Sequence, residues 1–391
     1  MDEPSRRGHG FWTDLRYQLA FNSFIRPCNF VRLAHYLPEI SPRYWPRATL
    51  IGIAALAALP LRWAETMYFG RWIKNIPIEH PPIFIIGHWR SGTTHLHNLF
   101  SQDPALGWVS MYQAIAPDCS LIGGGWLKRL LAWLLPPQRP MDNMVWPIDA
   151  PQEEEVPLGK ICAWSFYTQL TFPHHAQEFF ERYVLLEGAP AHVVSELKAC
   201  YLRILQIAAL HAGGKRLVLK NPVNTARLRL LLTLFPDAKF VHIHRSPYEV
   251  FASTCNLHRR LLKYTTLQTV DMRDSAEAVL TLYEGMMRRL LADRTLIPSG
   301  NFAEIRFSDL ERDPLGEMRR LYDELNLPGF RAAEPALRRH IAAQAGYRKN
   351  EFRLTPEERD RIAERWGFAF DAFGYCKLPP RLTASAPFAA E

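Results

Sequence analysis

Pro81-Pro82-Ile83-Phe84-Ile85-Ile86-Gly87-His88-Trp89-Arg90-Ser91-Gly92-Thr93-Thr94-His95-Leu96 is the stretch that decides the fold. Ile83 to Ile86 has the unbroken apolar pattern of a buried strand, Gly87 and Gly92 bound a tight loop, and a helix opens at Gly92-Thr93-Thr94. In such a unit successive backbone N–H groups and the helix N-terminus converge on one point, which makes an anion site. The spacing Gly87-x4-Gly92 is that of a Walker A loop, but Thr93 stands where the loop lysine belongs. Without that lysine, and with no evident acidic strand end to hold magnesium, a γ-phosphate is poorly served. Arg90 instead supplies fixed positive charge from inside the loop.

Working outward, Leu217 to Leu219, Phe240 to Ile243 and Ala303 to Phe307 are further short apolar runs, each followed by turn residues and a helical pattern. This alternation predicts an α/β fold of three layers, P-loop-like, with a central parallel sheet flanked by helices. Ligands on such sheets bind beyond the carboxyl ends of the strands. The third run carries a second motif there, His244-Arg245-Ser246-Pro247-Tyr248-Glu249, with Ser253 eight residues after Arg245. Ser246, Pro247 and Glu249 read as N-cap, first-turn proline and N3 acid. Arg245 then lies at the sheet edge with Ser253 two turns into the helix, a pair able to share one phosphate.

The chain of 391 residues is 48% hydrophobic and 22% charged, with a formal net charge of +8. Disordered, collagenous and disulfide-scaffold classes are excluded. The charge points to anionic partners, yet no nucleic-acid module or dense basic stripe is present. Cys28, Cys119, Cys162, Cys200, Cys255 and Cys376 are scattered, with neither a C-x-x-C pair nor zinc spacing, so reduced thiols in a cytoplasmic compartment and no metal are expected.

Residues 1–80 form a basic, aromatic, helical extension. Its most apolar run, Ala48 to Leu61, is short for a span and interrupted by Pro60; extended through Phe69 it would carry Arg62 and Glu65 into lipid. Burial, an in-plane interfacial position and a span all stay open, with Arg43, Arg47, Arg62, Arg71 and Lys74 around the run. Trp126 to Leu135 is a second Leu/Trp-rich helical stretch, core-facing or lying on a bilayer. Residues 81–378 make the main domain and 379–391 a loose tail.

The two strand-end motifs in this order resemble the PAPS-dependent sulfotransferases of the bacterial-type branch, PAPS being 3′-phosphoadenosine 5′-phosphosulfate. Arg90-Ser91-Gly92-Thr93-Thr94 is similar to their (Lys/Arg)-Ser-Gly-Thr-Thr loop, and Arg245 with Ser253 to their 3′-phosphate motif; Lys220-Asn221-Pro222 and Ile305 to Leu310 also look like that branch. The resemblance implies that Ser91, Gly92, Thr93 and Thr94 cradle the 5′-phosphosulfate and that Arg245 and Ser253 grip the 3′-phosphate. Arg348 and Lys349 stand where some members close a basic segment over that phosphate. Arg90 would neutralise the bridging oxygen as adenosine 3′,5′-bisphosphate leaves. The general base is expected in the acidic run Asp149 to Pro157, as Glu154 or Glu153, with Pro151 in a first helical turn and His95 or His88 as rivals. The implied acceptor is a small or lipid-like molecule bearing a hydroxyl or amine, with peripheral membrane contact in view. A P-loop kinase or nucleotidase, and a membrane-associated nucleotide-binding module without catalysis, are the alternatives.

Overall fold

The computed structural model describes residues 11–140, 145–344 and 354–377. Five parallel strands form one sheet: β1 Ile83–Ile86, β2 Leu106–Gly107, β3 Arg216–Lys220, β4 Lys239–His244 and β5 Phe302–Arg306, in the spatial order β2-β3-β1-β4-β5. Four are the runs expected from the sequence; β2 is too short to leave a pattern. β1 sits between β3 and β4, so the chain leaves it in opposite directions, and the crevice of such a sheet opens at that switch point.

Period-two alternation divides the strands between two cores. Phe84, Ile86, Leu217, Leu219 and Phe240 face a layer built on helices Ala191–His211, Met272–Asp293 and Pro356–Phe373, with Trp366 wholly buried. Ile83, Ile85, Val218, Val241 and Ile243 face the helix Thr93–Phe100 and the segment Leu310 to Leu325. The last helix starts on a capping box, in which Thr355 Oγ1 accepts from Glu358 N and Glu358 Oε2 accepts from Thr355 N.

Ala48 to Leu61 falls across two helices, Trp45–Ala57 and Leu59–Lys74, that meet at Ala58. Ile51, Ala55 and Ala58 are buried and Ile53, Leu56 and Leu59 are exposed. Arg62 does not flank the run as a surface cation: it is buried and donates to Ile25 O at 2.9 Å. Trp126 to Leu134 belongs to the helix Ser120–Leu134, broken at Gly124 and ended by an extended Leu135, with Leu127 and Leu131 in a third core beside Tyr17 and Tyr264.

Candidate active site

Three residues of left-handed backbone within six positions, Gly87 (φ 139°), Arg90 (φ 68°) and Gly92 (φ 100°), curl the loop after β1. A Cβ on Gly87 would lie 2.2 Å from Ile243 O, and one on Gly92 2.2 Å from the Phe307 ring, so both positions require glycine. Arg90 adopts its conformation at a cost of about 1–2 kcal/mol. Its side chain is tied in place, with Nε donating to Ser253 Oγ at 2.9 Å. Gly87 N donates to Thr225 Oγ1 at 2.7 Å, which anchors the loop to the turn after β3. Arg90, Gly92, Thr93 and Thr94 line a cavity; Ser91 between them is 2% exposed, and its N–H donates to His88 O.

Arg245 and Ser253 line the same cavity. The Arg245 guanidinium lies 4.7 Å from the centre of the Phe307 ring, and Nη2 donates to Glu249 Oε1 at 2.6 Å. Its Nε is buried without a hydrogen-bond partner. The helix starts at Pro247 as read from the sequence, but Ser246 makes no side-chain cap, and Glu249 is taken by Arg245 instead of completing a capping box.

The acidic run divides three ways. Pro151 is not in a helical turn: it bridges Ser110 across an extended segment, with Gln152 N bonded to Val109 O, and the helix begins only at Glu155. Glu153 lines the cavity, accepts from Lys220 Nζ and Tyr167 OH, and keeps its side chain 13% exposed. Burial alone would raise its pKa, but the Lys220 ammonium and the tyrosine hydroxyl outweigh that and hold the carboxyl below the usual range. Glu154 is fully buried outside the cavity wall, neither oxygen well hydrogen-bonded, and burial pushes it up to about 8. Glu155 is a structural anchor, bound by Arg227, Asn221, Ser165 Oγ and Phe166 N.

Of the histidine rivals, both line the cavity. Burial drives His88 down to about 3, and its ring packs edge-on against Trp89 and Tyr283, so it stays neutral at ordinary pH. Arg348 and Lys349 lie outside the described residues. Lys220, which reaches Glu153 from the end of β3, is a residue that sequence reasoning left without a role. Its signal was its place at the carboxyl end of β3, facing the same edge as Arg90 and Arg245.

The cavity holds about 1360 Å³, more than the roughly 300–1,000 Å³ of a single-ligand site. One end is the polar loop and the arginines. Much of the remainder is an apolar wall contributed by the extension, through Phe30, Leu33, Leu37, Ile40, Trp45 and Ile51, facing Phe172, Leu257 and Leu267. Apart from this cavity, Cys162, Glu196 and Cys200 bring donor atoms within 4.8 Å of one another, though Glu196 already accepts from Arg32 and Trp164 Nε1.

Residues 81–332 match the profile of the Sulfotransferase family. The chain is 34% identical over 336 residues, 86% of each chain, to the omega-hydroxy-beta-dihydromenaquinone-9 sulfotransferase Stf3 of Mycobacterium tuberculosis, and equally to that of Mycobacterium bovis. Among solved structures, sulfotransferase STF9 from Mycobacterium avium superposes with a TM-score of 0.69 at 21% identity, covering 96% of this chain and 99% of the other. STF1 from Mycobacterium tuberculosis gives 0.61 at 22% identity, over 91% and 93%. At these identities the structures speak for the fold alone.

Proposed function

The chain belongs to the sulfotransferase family and is a sulfuryl-transferring enzyme, and from that premise we propose that PAPS is its donor and a hydroxyl on an apolar, lipid-like molecule its acceptor. The observation that carries this reading is one cavity with two unlike ends, an arginine-bearing glycine loop and a long apolar wall. The residues present fit the donor: Arg245 Nε is a buried donor with no acceptor, and Arg245 lines the same cavity as Arg90 and the helix-opening Gly92, Thr93 and Thr94. When bound, PAPS supplies an activated sulfuryl group and departs as adenosine 3′,5′-bisphosphate.

Gly92, Thr93 and Thr94, at the helix N-terminus on the cavity, would hold the phosphosulfate end, while Arg90 would stabilise charge on the bridging oxygen. Arg245 and Ser253 hold the 3′-phosphate. Glu153 is the base: it lines the cavity, and Lys220 keeps it ionised and ready to take the acceptor's hydroxyl proton. Glu154, protonated and outside the wall, is set aside. The Mycobacterium relative is named for a hydroxylated dihydromenaquinone, an acceptor of the class that the apolar wall suits.

The test is labelled-sulfate transfer from PAPS to terminal alcohols of increasing prenyl or alkyl length, with p-nitrophenol and a monosaccharide alongside. We expect kcat/KM to climb with chain length. Better turnover of the phenol or the sugar than of every chain alcohol would refute the acceptor class.

A further inference from the structure

The helices Trp45–Ala57 and Leu59–Lys74 wear their polarity the wrong way round. Between Arg47 and Arg71 the chain has two charged residues, Arg62 and Glu65, and both are buried, at 7% and 0% exposure. They share the inward stripe with Ile51, Ala55 and Ala58, and Glu65 accepts from Leu121 N at 2.9 Å and Ile122 N at 3.3 Å. The outward stripe is Ile53, Leu56, Leu59, Trp63 and Met67, at helical spacing and between 43% (Leu59) and 69% (Trp63) exposed. A helix lying between core and water shows the reverse pattern. The helix Ser120–Leu134, seated on Glu65 by its first turn, adds Trp126, Leu130 and Trp133 at i, i+4 and i+7, from 44% (Leu130) to 70% (Trp133) exposed.

We infer that this apolar face, shared by three helices, seats the protein on the surface of an anionic lipid bilayer. Trp63, Trp72, Trp126 and Trp133 have the amphipathic rings that settle at the headgroup level, and exposed cations, Arg43, Arg71 and Lys74, stand at the ends of the stripe where lipid phosphates would meet them. The face is continuous with the acceptor cavity, because the helix that presents Ile53 and Leu56 outward also gives Trp45, Ala48 and Ile51 to the cavity wall. An apolar acceptor would then pass from bilayer to cavity along one helix without crossing water. The stretch Pro42–Lys74 is long and apolar enough to cross a membrane, but its inward stripe is already packed on protein through Arg62 and Glu65, which fits a helix lying on the bilayer instead of through it.

The test is flotation of the full-length protein with vesicles of phosphatidylcholine alone and with about 30% phosphatidylglycerol. It reads no turnover, so it stands or falls apart from the acceptor assignment. The wild type is expected to float with the anionic vesicles, and bromine-labelled lipid to quench its tryptophan emission. Trp63→Ser, Met67→Ser, Trp126→Ser and Trp133→Ser combined should cut partitioning at least tenfold while thermal unfolding stays unchanged, and Arg71→Glu with Lys74→Glu should weaken it by about fivefold or more per charge. No flotation and no quenching of the wild type would overturn the proposal. So would a lipid-free dimer that the serine substitutions dissolve while vesicle binding is unaltered, which would give the face to a second copy of the chain.

Discussion

Arg90 Nε donates to Ser253 Oγ at 2.9 Å, joining the loop after β1 to the helix after β4 across 163 residues of sequence. The two motifs therefore form one device. The arginine that would face the bridging oxygen is positioned by the hydroxyl assigned to the 3′-phosphate, and a left-handed backbone at Arg90 is held in place by that contact.

Arg90→Ala should lower kcat about 10²–10³-fold, the loss typical of removing one preorganised charge donor from a transition state. Circular dichroism and the unfolding midpoint should be unchanged, because the side chain contributes to no core. Near-normal turnover would end the proposed role.

Arg245→Ala should weaken adenosine 3′,5′-bisphosphate by about 1.5–3 kcal/mol, the worth of a charge-assisted hydrogen bond. Calorimetric titration should show a much smaller loss for adenosine 5′-phosphosulfate, which lacks the 3′-phosphate. Equal losses would mean the arginine serves another part of the ligand.

Glu153→Gln and Glu154→Gln differ by one position and should differ sharply in effect. The first removes the proposed base and breaks the pair with Lys220, so kcat should fall by about 10²-fold or more. The second leaves the cavity untouched and should keep most activity, with His95→Ala as a third arm. Because Lys220 and Tyr167 hold Glu153 below the usual carboxylate range, the acid limb of the pH profile should lie lower than an ordinary glutamate would put it.

Glu154 also sets a stability trend. Its pKa in the folded chain is about 8 against 4.5 for the unfolded group, so between those values the folded state holds a proton that the unfolded state has lost. Stability should therefore fall as pH rises from about 4.5 to 8, by up to about 1.4 kcal/mol per pH unit from this group. Denaturant titrations of Glu154→Gln should show that slope removed.

Adenosine 3′,5′-bisphosphate at 100 times its Kd should stabilise the protein by about 2.7 kcal/mol, read as a raised unfolding midpoint. Mg·ATP should give no comparable shift, since Thr93 replaces the loop lysine a nucleoside triphosphate needs. Stabilisation by Mg·ATP alone would favour the kinase reading.

The sequence by itself determined four of the five strands, the loop and the places of the two arginines, because each is written in contiguous residues: a four-residue apolar strand, two glycines bounding a tight loop, a proline opening a helix. Local sterics and period-two burial need no distant partner to be read. Only the tertiary structure told Glu153, Glu154 and Glu155 apart. Three adjacent carboxylates look alike in sequence, and their fates follow from what β3 and the turns around it bring to each: Lys220 to the first, nothing to the second, Arg227 and Asn221 to the third. The extension is the same case. Its apolar run left burial, interface and span open until packing showed Arg62 and Glu65 turned inward and Trp63 and Met67 turned out, since the direction of a helix face is set by the surface it packs on.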